Sequence, residues 1–172
     1  TSGAPLIVAG SIRVREEELV IDSFLAVQQR FPTAKLILAP RHPERFGHVA
    51  ELLESRAVKF ERRSHPIAGE SSVLLLDTMG ELEQLYALAD VCVVGGGFAP
   101  HGGHNPFEPA RFSKPIIIGP HTANFRDAVT QLQASQAVIV VTSAEELSAG
   151  VARLLERPEE ARFLGERAHM VW

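Results

Sequence analysis

Cysteine is almost absent: Cys92 is the only one in 172 residues. A disulfide framework within the chain is thereby excluded. Because Cys92 lies in the apolar run Val91–Val94, the expectation is a buried thiol in a reducing compartment and not a nucleophile. Long hydrophobic runs are missing as well. None approaches the roughly 20 residues of a membrane span, and no secretory leader opens the chain. Net charge is small, with 17 Lys and Arg against 21 Asp and Glu, a balance of −4 and a pI near 6.0. Such a balance gives no support for a nucleic-acid surface. The basic clusters at Arg41–Arg45 and Arg62–Arg63 are short and read as solvated faces. Neither an internal repeat nor a low-complexity linker is found. The length, with 45% hydrophobic residues, suits one domain with a substantial core, residues 1–172. The chain starts Thr-Ser-Gly-Ala-Pro without an initiator Met and enters an apolar strand almost at once. It is therefore read as an excised domain whose function is completed elsewhere.

What is present is an alternation of short apolar runs and longer amphipathic segments. Leu6–Ala9, Leu36–Ala39, Val73–Leu76, Val91–Val94, Ile116–Ile118 and Val138–Val141 read as strands, most of them apolar on both faces. Strands of that kind belong in a parallel sheet covered on both sides by helices. Helices are expected over Glu16–Phe31, Pro43–Ser55, Gly80–Ala89, Pro106–Phe112, Asn124–Ala134, Ala144–Glu156 and Pro158–His169. The first carries an apolar stripe of Val20, Phe24, Val27 and Phe31, with Glu16, Glu17 and Glu18 at its positive end. Ser143 reads as the cap of its helix, with Glu146 three residues on. The pattern predicts an α/β fold, a doubly wound parallel sheet with helices on both faces, whose ligand site lies beyond the carboxyl ends of the strands.

That edge collects the unusual residues: Gly10-Ser11, Pro40-Arg41-His42, Asp77-Thr78-Met79-Gly80, Gly95–Asn105 and Gly119-Pro120-His121 each follow a predicted strand. The glycine-rich loop contains Gly95, Gly96, Gly97, Gly102 and Gly103, whose amides no side chain shields. Asn105 then suits a helix N-cap, Pro106 the first helical position and Glu108 the acid of a capping box. Free amides at a helix start favour a phosphate or carboxylate. Glu108 has two readings, as a cap that touches no ligand or as an acceptor for sugar hydroxyls. No Walker A sequence occurs. The dinucleotide fingerprint G-x-G-x-x-G also fails, since Pro100 stands where the third glycine belongs and the loop follows a late strand.

The histidines divide similarly. His42, His101, His104 and His121 fall near the expected cleft; His48, His65 and His169 read as surface residues. His101-x-x-His104 lacks a cysteine partner, zinc spacing and a His-Glu-x-x-His helix, so no metal is assigned. His104 or His121 suits better a general acid or a donor to an anion. Asn124 reads first as the cap of the following helix. Met79 and Phe98 have plain alternatives as a gap-filling methionine and a loop anchor, while Tyr86 and Phe24 belong to core stripes.

Four runs together resemble a family: Pro40-Arg41-His42-Pro43-Glu44-Arg45, Asp77-Thr78-Met79-Gly80-Glu81-Leu82, Gly102-Gly103-His104-Asn105-Pro106-Phe107-Glu108-Pro109 and Gly119-Pro120-His121-Thr122-Ala123-Asn124-Phe125. They are similar, in order and spacing over nearly the whole chain, to the C-terminal half of the Kdo transferases. These are two-domain enzymes of the GT-B type that move 3-deoxy-D-manno-oct-2-ulosonic acid (Kdo) from CMP-Kdo to a lipid A precursor. The resemblance implies that this chain is the half that binds the CMP-sugar donor. The missing N-terminal half would hold the acceptor and the catalytic base, so that no catalytic residue lies here. It also implies that the full-length protein works at the cytoplasmic face of the bacterial inner membrane, while this domain is soluble. By the same resemblance Pro40, Arg41 and Met79 border the cytosine and Glu108 takes the ribose hydroxyls. Ser11, Gly80, Asn105 and nearby amides surround the phosphate, with His42, Glu81, Gly96, Gly97, Gly103, His104 and His121 completing the donor site. Neither a metal nor another cofactor is implied, since one phosphate can be held by amides and a helix start.

The chain departs from the family after its first strand. Gly10-Ser11 is followed by Ile12-Arg13-Val14-Arg15 where the family more often has a threonine and then a glycine before the acidic run. A polar contact from position 12 is lost, and Arg13 or Arg15 is available as a replacement cation. Two other readings stay open: the donor domain of another GT-B transferase or epimerase-like enzyme that uses a UDP-sugar, and a non-catalytic nucleotide-binding module.

Overall fold

A computed structural model describes residues 3–172. The seven strands are β1 (Leu6–Ile12), β2 (Lys35–Pro40), β3 (Phe60–Arg62), β4 (Val73–Leu75), β5 (Val91–Val94), β6 (Ile116–Ile118) and β7 (Ile139–Val140). All pair in parallel, in the order β3-β4-β2-β1-β5-β6-β7. The helices are α1 (Glu17–Arg30), α2 (Phe46–Ser55), α3 (Leu82–Tyr86), α4 (Phe107–Ala110), α5 (Arg126–Ala134), α6 (Ala144–Glu156) and α7 (Pro158–Val171). From β1 the chain moves to β2 on one side and later to β5 on the other, so the switch point expected of a doubly wound sheet lies between β1 and β5.

Strand alternation divides the core into two layers. Ile7, Ala9, Leu36, Leu38, Val91, Val93 and Ile117 pack with α1, α2 and α6 through Val20, Phe24, Leu53, Leu147 and Val151. Val8, Ile37, Cys92, Val94, Ile116 and Ile118 turn to the other face and meet Tyr86, Val129, Leu132 and Ala168. Because both faces are covered, the strands had to be apolar throughout. Cys92 is fully buried, and burial pushes its thiol up, away from the reactive thiolate.

The strand missed in the sequence is β3. Its residues Phe60, Glu61 and Arg62 are half-buried at the sheet edge, so no apolar run betrays it. The Glu61 carboxylate instead accepts from the amides of Ala68, Gly69 and Ser71 and folds the following loop back on the edge. Several helices are shorter than expected. Pro43–Arg45 forms a 3-10 turn before α2, and Ala123–Phe125 another before α5. Gly80, with φ +88, keeps α3 from starting before Leu82. Asn124 is not the cap of α5: its side-chain amide donates to the carbonyls of His101 (3.2 Å) and Gly103 (3.5 Å), tying the β6 turn to the glycine loop. Ser143 does cap α6, accepting from Glu146 N–H at 3.1 Å, and the Glu146 carboxylate reaches back to Thr142 N–H at 2.7 Å.

Candidate functional site

At the switch point the ends of β1, β2 and β4 and the loop after β5 enclose a cleft of about 500 Å³. Ser11, Pro40, Arg41, Met79, Gly80, His104, Asn105 and Glu108 line it, joined by Thr78, Leu82, Glu83 and Phe125. Hollows of similar or greater size lie elsewhere. One is at the amino ends of the strands beside Pro5, Asp90 and Lys114, and the other is an open groove along β7. The edge where an α/β sheet binds ligands is the one that holds the gathered candidates.

β1 continues past a bulge, and Ser11 sits there at φ +55, buried, with the strand resuming at Ile12 opposite Pro40. A bulge at this place re-aims the end of the strand. Ile12 is 1% exposed and packs in the core. The position whose hydroxyl is missing here therefore faces inward, away from the cleft. Its carbonyl accepts the Arg41 N–H at 2.8 Å, which fixes the β2 turn. Met79 is 60% exposed at the cleft rim, which removes the reading as a core gap-filler. Phe98 is half-buried against the core and anchors its loop.

The remaining candidates fall outside the cleft. Gly97, Gly103 and His121 line a neighbouring crevice of only about 10 Å³, which His104 shares. Glu81 is held by the Thr78 hydroxyl (2.7 Å) and by Arg63, and His42 is half-buried beside the 3-10 turn. Gly96 donates its amide to Glu16 Oε2 at 2.8 Å. The sequence did not reveal that last contact. Glu16 is fully buried, and its carboxylate also accepts from Phe98 N–H (3.0 Å), Ala99 N–H (3.2 Å) and Arg13 N–H (2.9 Å). The first half of the glycine loop is thus an anion site filled by the chain itself. What faces the cleft is its second half, where among the described residues neither the His104 nor the Asn105 N–H has an acceptor within the chain.

Pro106, and not Asn105, is the N-cap of α4, but Asn105 Oδ1 accepts from Phe107 N–H at 3.0 Å across it and so holds the start of the turn. The capping box is not closed, since Glu108 makes no return bond and keeps its carboxylate for the cleft. α4 is a single turn, Phe107–Ala110. Its dipole is accordingly small, and charge at the site comes instead from side chains. Burial, and after it the nearby Arg41, Arg13, His42 and His101, oppose protonation of His104 and hold its pKa down at about 4. On the other wall burial and then Glu83 raise the Glu108 carboxyl, with Arg41 opposing. Cationic groups thus surround His104, and Arg41 reaches both His104 and the Glu108 carboxylate within the one cleft. His104 is neutral at pH 7 and acts there as a hydrogen-bond donor or acceptor, not as an imidazolium acid. Its Nε2 and the Arg13 Nε are buried without partners among the described residues.

One consequence is a pH dependence. His104 binds a proton more readily unfolded, near pH 6.5, than folded, at about 4. Stability is expected to fall as pH drops through that interval, because the unfolded chain then takes up the proton. A bound phosphate offsets the cationic surroundings and is expected to raise the His104 pKa, read from its ring proton shifts with and without ligand.

Comparison with known proteins follows the same lines. The Glycosyl transferases group 1 profile matches residues 18–170. This chain belongs to that family. Within it, the chain is 40% identical to the 3-deoxy-D-manno-octulosonic acid transferase of Haemophilus influenzae over 170 residues, 97% of this chain. It is 36% identical to that of Bordetella pertussis over 174 residues, again 97% of this chain. It spans 40% of the length of each of these relatives. The crystal structure of the C-terminal CMP-Kdo binding domain of WaaA from Acinetobacter baumannii superposes with a TM-score of 0.93 at 32% identity, covering 99% of this chain and 90% of that one. The resemblance carried by the four runs is thereby borne out, and with it the Rossmann-like half of a GT-B transferase.

Proposed function

We propose that the chain is the donor-binding domain of a Kdo transferase and that its cleft holds CMP-Kdo. The observation that carries this reading is the set of groups that line one cleft: His104 and Asn105, whose amides have no acceptor among the described residues, the Arg41 guanidinium and the Glu108 carboxylate. A nucleoside monophosphate fits that set of groups, with phosphate on the amides, ribose hydroxyls donating to Glu108, and the base between Pro40, Arg41 and the exposed Met79. Amides and cations fixed before the reaction then stabilise the departing CMP as its charge develops, without need of a metal. The acceptor, the catalytic base and contact with the inner membrane belong to the remainder of the full-length enzyme. No helix among the described residues is long and apolar enough to cross a membrane.

The test is a titration of the labelled domain with CMP, UMP and UDP at equal ionic strength, read by amide shifts. Selective CMP shifts at Arg41, Met79 and His104–Glu108 are expected. A preference for UDP would assign the site to another GT-B transferase, and silence at millimolar nucleotide would overturn the donor reading.

A further inference from the structure

Glu16 stands outside the donor cleft, yet its carboxylate holds the loop whose second half forms the cleft wall. Its carboxylate accepts from Gly96, Phe98 and Ala99, which lie 80, 82 and 83 positions away, and from Arg13 nearby. Gly96 passes the constraint on: its carbonyl accepts the Gly103 N–H at 2.9 Å. A Cβ at Gly96 would press on the His104 ring and the Gly103 backbone, so the two halves of the loop lie in direct contact. The following residue, Glu17, is also buried and binds Arg45 Nε at 2.8 Å, which ties the same end of α1 to the β2 turn that carries Arg41. Neighbouring carboxylates thus brace both walls of the cleft. A buried carboxylate with four N–H donors keeps its geometry far more strictly than a glycine loop does on its own.

We infer that Glu16 is a positioning residue for phosphate recognition: by holding the first half of the glycine loop, it fixes Gly103–Asn105 so that the His104 and Asn105 amides point at the ligand's phosphate. The inference rests on the donor-site reading for the identity of the ligand. Glu16 itself touches no substrate and acts through Gly96.

The experiment compares wild type with Glu16→Gln, in which an NH2 group meets N–H donors in place of an oxygen. Hydrogen exchange at Gly103–Asn105 is measured without ligand, and affinities for CMP and for cytidine are measured side by side. The expected result is at least tenfold faster exchange at Gly103–Asn105 with strand amides of β2 and β4 unchanged. CMP affinity should fall at least tenfold while cytidine affinity moves less than twofold. Equal weakening of both ligands, or an unchanged ratio despite faster exchange, would reduce Glu16 to a purely structural residue and overturn the inference. Where Glu16→Gln fails to fold, Glu16→Asp keeps the charge but withdraws it by one methylene, and the same two readouts apply. Should wild type bind no CMP, the donor reading fails by itself, and unchanged exchange in the variant would separately overturn the positioning.

Discussion

Glu108→Gln is expected to weaken CMP binding roughly ten- to a hundredfold, the value of a hydrogen bond to a charged group at about 1.5–3 kcal/mol, while the ligand-free protein melts no lower than wild type. The two halves of this expectation have different causes. Affinity falls because a carboxylate offers two acceptor oxygens to ribose hydroxyls, whereas an amide offers one and turns a donor toward the other. Stability holds because the side-chain bond at the start of α4 comes from Asn105 to Phe107 N–H, and Glu108 contributes none there. Burial and Glu83 raise the Glu108 carboxyl above its ordinary value. Between that ordinary value and the raised one the folded state holds the extra proton, so stability declines as pH rises through the interval. An ionised Glu108 is therefore a cost to the empty fold, and the neutral amide removes it. Acid should weaken CMP binding for the same reason, as the carboxylate loses its charge. Paired calorimetric and thermal measurements decide the matter: a parallel loss of melting temperature and affinity would return Glu108 to the role of a cap.

How much of this was legible in the sequence depends on the range of the interactions involved. The sheet was readable because strands covered on both faces must be apolar at successive positions, as in Val91–Val94 and Ile116–Ile118. β3 was not, since an edge strand reading Phe-Glu-Arg has only one side to bury. The cleft was readable at the level of turns, because topology alone brings Ser11, Arg41, Met79 and Asn105 to one edge. Its electrostatics were not. The glycine amides looked free, and the seat of Glu16 among them joins residues 80 to 83 positions apart. Asn124 likewise matched a local cap but closes instead on the His101 and Gly103 carbonyls. In both cases a polar side chain with a plausible local partner found a long-range one, and spacing carries no record of that choice. The departure at Ile12 looked functional in the sequence because the family more often has a threonine there, whose hydroxyl could make a polar contact. The bulge at Ser11 and the burial of Ile12 show that the two positions serve different faces.

Gly95→Ala is expected to be strongly damaging, costing about 3 kcal/mol of stability and lowering the melting temperature by roughly 6–12 °C for a chain of this size. Gly95 is buried where the end of β5 meets the bulged end of β1, and its N–H donates to Gly10 O at 2.8 Å. A Cβ there would collide with the Ser11 carbonyl and lie 2.8 Å from Ile12 Cα. Both are backbone atoms, so no rotamer change relieves the clash and β1 must move. Its displacement carries Ser11 with it, and Arg41 too, since the Arg41 N–H is bonded to Ile12 O. The variant should thus lose CMP affinity along with stability, unlike Glu108→Gln. Gly47→Ala is the matched control: that glycine lies on the exposed side of α2 with nothing within 4 Å of a new Cβ. There the same methyl should stabilise by about 0.4–1 kcal/mol, because it restricts the unfolded chain and favours the helix. If Gly95→Ala melted and bound CMP as wild type does, the close approach of β1 and β5 would not be what holds Ser11 and Arg41 at the cleft.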